Sequence, residues 1–143
     1  MAYPGFSFEG AGNFIDISAA GPTSVQTVLM WVNPDSIAGN NGLTVLNATD
    51  TLGIAADTLT AGGFASGTLY VDGVAGDTVT ANWHLVGVTV PAGKNANSLF
   101  LASNAVWAMT GLIGETMLYN RALSSDEIKS VYELTKWRYP NYS

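Results

Sequence analysis

The sequence contains no cysteine, which excludes disulfides and thiolate metal sites. It has a single histidine, His84, so no histidine cluster can hold zinc. Charge is scarce as well: charged residues make up 11% of the chain, less than half the usual share of about 25%. The few cations crowd toward one end. Residues 1–120 carry Lys94 alone against eight acidic residues, and the other four cations, Arg121, Lys129, Lys136 and Arg138, all follow. An acidic body without clustered Lys or Arg argues against nucleic acid and against an anionic membrane surface as partners. No apolar run approaches the roughly 18–20 residues of a transmembrane helix. The opening MAYPGFSFEG lacks a basic region followed by an apolar one, so the sequence predicts no secretory signal and a product that stays in the compartment where it is made.

What is present reads as one all-β domain. A chain of 143 residues can bury about 68–70% of its unfolded surface without staples. Its solubility rests on Thr, Ser, Asn and Gly, as expected for strands with neutral polar outer faces. Short alternating runs at 6–8 and 14–17 flank Gly10 and Gly12. Residues 25–32 (VQTVLMWV), 83–90 (WHLVGVTV) and 112–119 are apolar on both faces, which predicts strands covered on both sides. Asn33-Pro34 ends the first of these and Pro91 closes the second; Asn41-Gly42 marks a turn back into 43–46, and 93–97 is a polar turn before a strand at 98–102. Weaker strands are expected at 52–55 and 57–60, and Leu69-Tyr70-Val71-Asp72-Gly73-Val74 is a hairpin signal, because Asp-Gly supplies the positive φ angles of a type I′ turn. Many short strands at about ten-residue intervals predict a β-sandwich.

The last strand feeds one short helix. Leu123-Ser124-Ser125-Asp126-Glu127-Ile128 is a complete helix start. Ser124 can cap the Glu127 N–H while the Glu127 carboxylate reaches back, and Leu123 can clamp Ile128 across the cap. Asp126 and Glu127 lie at the positive end of the helix dipole, Lys136 and Arg138 at the negative end. Pro140 forbids continuation.

The ordered segments FSFEGAGNFIDIS, VLMWVNP, LYVDGV, WHLVGVTV and GLIGETMLYNRALSSDEI resemble the laminin G-like branch of the concanavalin A-like lectin and glucanase superfamily. The likeness runs over nearly the whole chain, and the closing YELTKW is similar to the end of such domains in phage virion proteins and bacterial surface proteins. The resemblance implies a single jelly-roll β-sandwich of two antiparallel sheets over residues 1–143 with one short C-terminal helix. One position departs: many relatives carry Asp where Gly114 stands, which puts any role of that Asp at a cation site in doubt here. Glucanases of the superfamily use alternate carboxylates on one strand, about 5–5.5 Å apart. No two acids here are spaced i, i+2, so the sequence predicts no glycosidase and no catalytic residues.

Individual residues divide into structural and candidate functional sets. Trp31 and Trp83 fall in two-faced strands and are expected in the core; Trp137 is expected to pack the helix on the sandwich with Ile128, Val131 and Tyr132. Glu115, sharing a face with Ile113, Met117 and Tyr119, is expected to pair with Arg121. His84 reads as a structural histidine near the sheet edge rather than the base of a triad. Asn47-Ala48-Thr49 matches a glycosylation sequon but reads as a turn. Two readings stand for Trp107: core packing, or an exposed sugar platform. No cofactor is expected; the resemblance leaves calcium open, with Asp50, Asp57, Asp72 and Asp77 as turn carboxylates that could converge. The sequence and resemblance together predict a non-enzymatic structural protein of a larger assembly, a phage virion surface protein such as a capsid decoration protein. Its partners would be the capsid shell and copies of itself, by analogy as a trimer. The tails, with Tyr3, Pro4, Tyr139, Pro140 and Tyr142, would be docking arms. The alternative is a carbohydrate-binding or host-adhesion domain.

Overall fold

The structure is a computed structural model that describes residues 5–104 and 106–140. Among these residues, eleven strands form a sandwich of two antiparallel sheets, jelly-roll-like in plan. The larger sheet runs β1 (Phe6–Glu9), β11 (Thr110–Tyr119), β3 (Val25–Pro34), β9 (His84–Lys94), β7 (Thr68–Val71) and β8 (Val74–Ala75). The smaller runs β2 (Ile15–Ser18), β10 (Leu99–Leu101), β4 (Asn40–Val45), β5 (Thr51–Ala55) and β6 (Thr58–Gly62). Helix α1 (Ser125–Thr135) and a 3₁₀ turn (Lys136–Arg138) follow β11. The first two strands pair with the last two: β1 pairs with β11, and β2 with β10.

The strands expected to be apolar on both faces, β3, β9 and β11, lie side by side inside the larger sheet. Val28, Met30 and Val32 point into the core between the sheets with Val86 and Val88, meeting Leu43, Leu52, Ile54 and Leu99 of the smaller sheet. The alternate residues Leu29, Trp31 and Leu85 form a second core on the outer face, closed by Leu123, Ile128 and Tyr139. A helix is needed there because those side chains would otherwise face water. The Asp72-Gly73 hairpin forms as expected, with φ of +52° and +82°. β9 runs past Pro91 to Lys94, because the ladder with β3 shifts register between Val25 and Thr27. Proline is tolerated at such a bulge, where no ladder bond is required of it.

The helix start is the complete capping box. Ser124 Oγ accepts from the Glu127 N–H at 3.2 Å, and Glu127 Oε2 accepts from the Ser124 N–H at 2.8 Å. Leu123 and Ile128 are both buried beside it. Buried Thr27 of β3 fixes the approach, its hydroxyl donating to the Arg121 carbonyl at 2.8 Å and accepting from the Leu123 N–H at 3.0 Å. The Arg121 guanidinium, then the Ser124 N–H, hold the Glu127 carboxyl down to about 2 from its ordinary 4.5. A carboxyl depressed by folding stabilises the fold above its unfolded value, and that contribution is lost as pH falls through the folded value. The thermal midpoint should therefore gain a downward slope between pH 4.5 and about 2, and Glu127→Gln should flatten that limb in a pH series of melting curves.

The C-terminal segment corrects three expectations. Glu115 does not pair with Arg121. The β11–β3 ladder shifts register between Ile113 and Thr116, so Gly114 and Glu115 together oppose Trp31. This bulge turns Ile113 into the inter-sheet core while Met117 and Tyr119 face the helix. Glu115 is thereby aimed at Arg138, with which it is ion-paired, and Arg121 pairs with Glu127 at 2.9 Å. Trp137 does not pack the helix down: it is 70% exposed, with the Arg138 guanidinium 5.1 Å from its ring centroid. Tyr139 does that work instead and is no docking arm. It is 2% exposed, stacked on Trp31 at 4.5 Å and tilted against Trp83 at 4.7 Å, and its hydroxyl accepts from the Glu115 N–H at 2.9 Å. Trp31 and Trp83 are buried as expected. Pro140 follows a buried residue and is itself half-buried, while Tyr3, Pro4 and Tyr142 lie outside the described residues. The departure at Gly114 also has a steric reason: a Cβ there would stand 2.7 Å from the Tyr139 hydroxyl and 2.8 Å from Cζ.

Candidate functional site: the open face of the smaller sheet

The two outer faces of the sandwich differ. The larger sheet is covered by α1, whereas among the described residues no helix lies over the smaller sheet. In β10, Leu99 and Leu101 point inward and Phe100 therefore points out, beside Val45 of β4. Phe14, just before β2, meets Phe100 edge to face, with centroids 5.6 Å apart at 67°. Both rings line a groove of about 510 Å³, together with Val45, Asn47, Ala48, Asn97, Ser98 and Ser103. A second groove of about 260 Å³ lies on the other side of Phe14, lined by Ala11, Gly12, Asn13, Ser103, Val106 and Trp107. Phe14 is 49% and Val106 81% exposed. None of the lining residues of either groove is charged.

The second groove is walled by a tight turn. Asn104 Oδ1 accepts from the N–H groups of Val106 and Trp107 at 3.2 and 2.7 Å, and the Asn104 N–H donates to the Trp107 carbonyl at 3.1 Å. That turn sits directly on Gly42, where a Cβ would overlap the Trp107 carbonyl and stand 2.6 Å from the Asn104 nitrogen. The Asn41-Gly42 pair is thus no turn. It lies inside β4, with buried Asn41 donating to the Ser36 carbonyl at 3.1 Å and accepting from the Thr110 N–H at 3.2 Å. Trp107 is half-buried, neither a core residue nor a free platform, and lines the groove. Phe14 and Phe100 are the larger aromatic surface, and the expectation centred on Trp107 missed them. Asn47 lines the first groove without offering itself: its amide donates to Asp50 Oδ2 at 2.7 Å and the Asn95 carbonyl at 2.8 Å, and its oxygen accepts from Thr49 and Asp50. The sequon is a turn, as expected.

The four turn aspartates do not converge. Asp50 is buried, 3.3 Å from Lys94 Nζ. Asp72 holds His84, Nδ1 to Oδ2, at 2.7 Å, and accepts from the Leu85 N–H at 3.0 Å. Asp57 and Asp77 lie together across the Thr58–Thr78 bridge, joined through backbone bonds to Val79 and Leu59. Among the described residues no three His, Asp or Glu side chains gather as a metal set. His84 is mostly buried at the start of β9, its Nε2 2.7 Å from the Thr80 hydroxyl. Among the described residues no helix is long and apolar enough to cross a membrane.

No protein-family model, no curated protein and no solved structure matches this chain. The functional reading therefore rests on the open face and on the resemblance carried by the residues themselves.

Proposed function

We propose that this chain is a non-enzymatic structural domain of a larger assembly, a virion surface protein of the capsid-decoration kind, which makes its contacts through the open face of the smaller sheet. The observation that carries this is the uncharged aromatic groove at Phe14 and Phe100 on an otherwise acidic molecule. Exposed apolar surface rimmed by polar groups marks interaction sites, and a neutral patch lets an acidic protein approach a partner without like-charge contact. The resemblance to laminin G-like domains of phage particles supplies the setting, and the reading calls for no cofactor. Copies on a shell would follow its symmetry, a trimer at a threefold position being the simplest case. The chain should co-sediment with particles that lack it, and Phe14→Asp should weaken that binding at least tenfold. Phe14 is half exposed, so the substitution leaves the core intact; unchanged co-sedimentation of the variant would remove this face from the account.

A second reading is favoured by the same groove. Aromatic faces beside Asn97, Ser98 and Ser103 suit a neutral sugar, whose C–H face stacks on rings while its hydroxyls meet amides and hydroxyls. A glycan array with wild type and Phe100→Ala distinguishes the two: glycan signal lost in the variant supports the sugar, and silence on the array with particle binding intact supports the protein partner.

A further inference from the structure

Away from the open face, at the end of the larger sheet, three side chains form a hydroxyl–imidazole–carboxylate chain. Thr80 Oγ1 is 2.7 Å from His84 Nε2, and His84 Nδ1 is 2.7 Å from Asp72 Oδ2. The proton positions follow from the backbone. The Thr80 N–H also points at Nε2, at 3.2 Å, and a backbone N–H can only donate. Nε2 is therefore the acceptor, and the ring proton sits on Nδ1, facing the carboxylate. This is the neutral tautomer a general base requires, with the carboxylate as its orienting partner. Asp72 is itself fixed, in the left-handed position of its turn and by the Leu85 N–H at 3.0 Å. Thr80 is exposed, and the Asn82 amide donates to its hydroxyl oxygen at 3.3 Å, an N–H that would have to turn from that oxygen to meet an oxyanion formed on the adjoining carbon.

We propose that Thr80 is an acyl-acceptor site, activated by His84 and Asp72, for small activated esters. In the reaction Thr80 Oγ bonds to the acyl carbon as its proton passes to Nε2. Asp72 stabilises the imidazolium, and the Asn82 amide turns to meet the carbonyl oxyanion. Collapse then breaks the bond from acyl carbon to leaving oxygen, and the leaving alcohol takes the proton from Nε2. The products are an ester on Thr80 and one alcohol, with no change of oxidation state. An exposed hydroxyl suits short acyl groups. This goes beyond the assembly reading, and neither depends on the other.

The test uses the full chain with p-nitrophenyl acetate near neutral pH, followed by intact mass and peptide mapping. One acetyl should map to Thr80, formed about 10²–10⁴-fold faster than an unassisted threonine would react. Thr80→Ser should keep the label and Thr80→Val should lose it. Asp72→Asn keeps the turn, since Asn tolerates positive φ and its amide oxygen can still accept from Leu85. It should nonetheless slow labelling at least tenfold and change the shape of the pH–rate profile, with near-UV circular dichroism unchanged. Acetylation confined to lysines, or Thr80 labelling that simply follows hydroxide and ignores Asp72→Asn, would overturn the proposal.

Discussion

Tyr139→Ala should destabilise the fold by about 3–5 kcal/mol, the usual cost of removing a large buried aromatic. For a domain of this size that is a fall in melting temperature of roughly 10–17 °C. The ring fills the space between Trp31, Trp83 and the Gly114–Glu115 bulge. Its loss opens a cavity lined by two indoles and leaves the Glu115 N–H without the hydroxyl it donates to. The Arg138–Glu115 pair still ties the 3₁₀ turn to β11, but it is about one-third exposed and so contributes little alone. Trp137→Ala, two residues earlier, should change stability by less than about 0.5 kcal/mol, as exposed substitutions do. Urea denaturation of both variants checks the contrast. Equal losses would mean that Tyr139 has no larger part than Trp137 in seating the helix.

Gly42→Ala should cost about 2–3 kcal/mol, the price of forcing a methyl into a packed site, and should act on the groove as well. The added Cβ meets backbone, namely the Trp107 carbonyl and the Asn104 nitrogen. Neither can swing aside as a side-chain tip would, because the Asn104 amide and the Asn104–Trp107 bond close that turn on itself. The turn must lift as a unit from β4. Hydrogen exchange should show the Val106 and Trp107 amides losing protection, while the inter-sheet core stays slow. Gly39→Ala is the control, since a Cβ at Gly39 meets nothing within 4 Å. If both variants are equally stable and equally protected, the turn does not rest on Gly42 as described.

How far the sequence could be read depended on whether a feature was local. The two-faced runs of β3, β9 and β11 were legible because alternation reports covering on both sides, whatever does the covering. The capping box and the Asp72-Gly73 turn were legible because their partners lie within a few residues. The Glu115–Arg121 expectation failed at a bulge: strict alternation places Glu115 with Ile113, and the extra residue in β11 sends Ile113 to the other face. Trp137 and Tyr139 differ little as apolar anchors, and the 3₁₀ turn at Lys136–Arg138 decides which one points inward. The groove had a faint signal. In Leu99-Phe100-Leu101 only one parity can face the core, and the leucines take it, so Phe100 had to be outside. Its meeting with Phe14 joins residues 86 positions apart (100 minus 14), a pairing that no local pattern carries.

The most direct test of the open face as the contact surface is hydrogen–deuterium exchange on the chain free and bound to the particle. The account predicts protection on binding at residues 11–14, 45–48 and 97–107, with α1 unchanged. Protection confined to α1 and the exposed Trp137, with the Phe14–Phe100 groove exchanging as in the free chain, would contradict it.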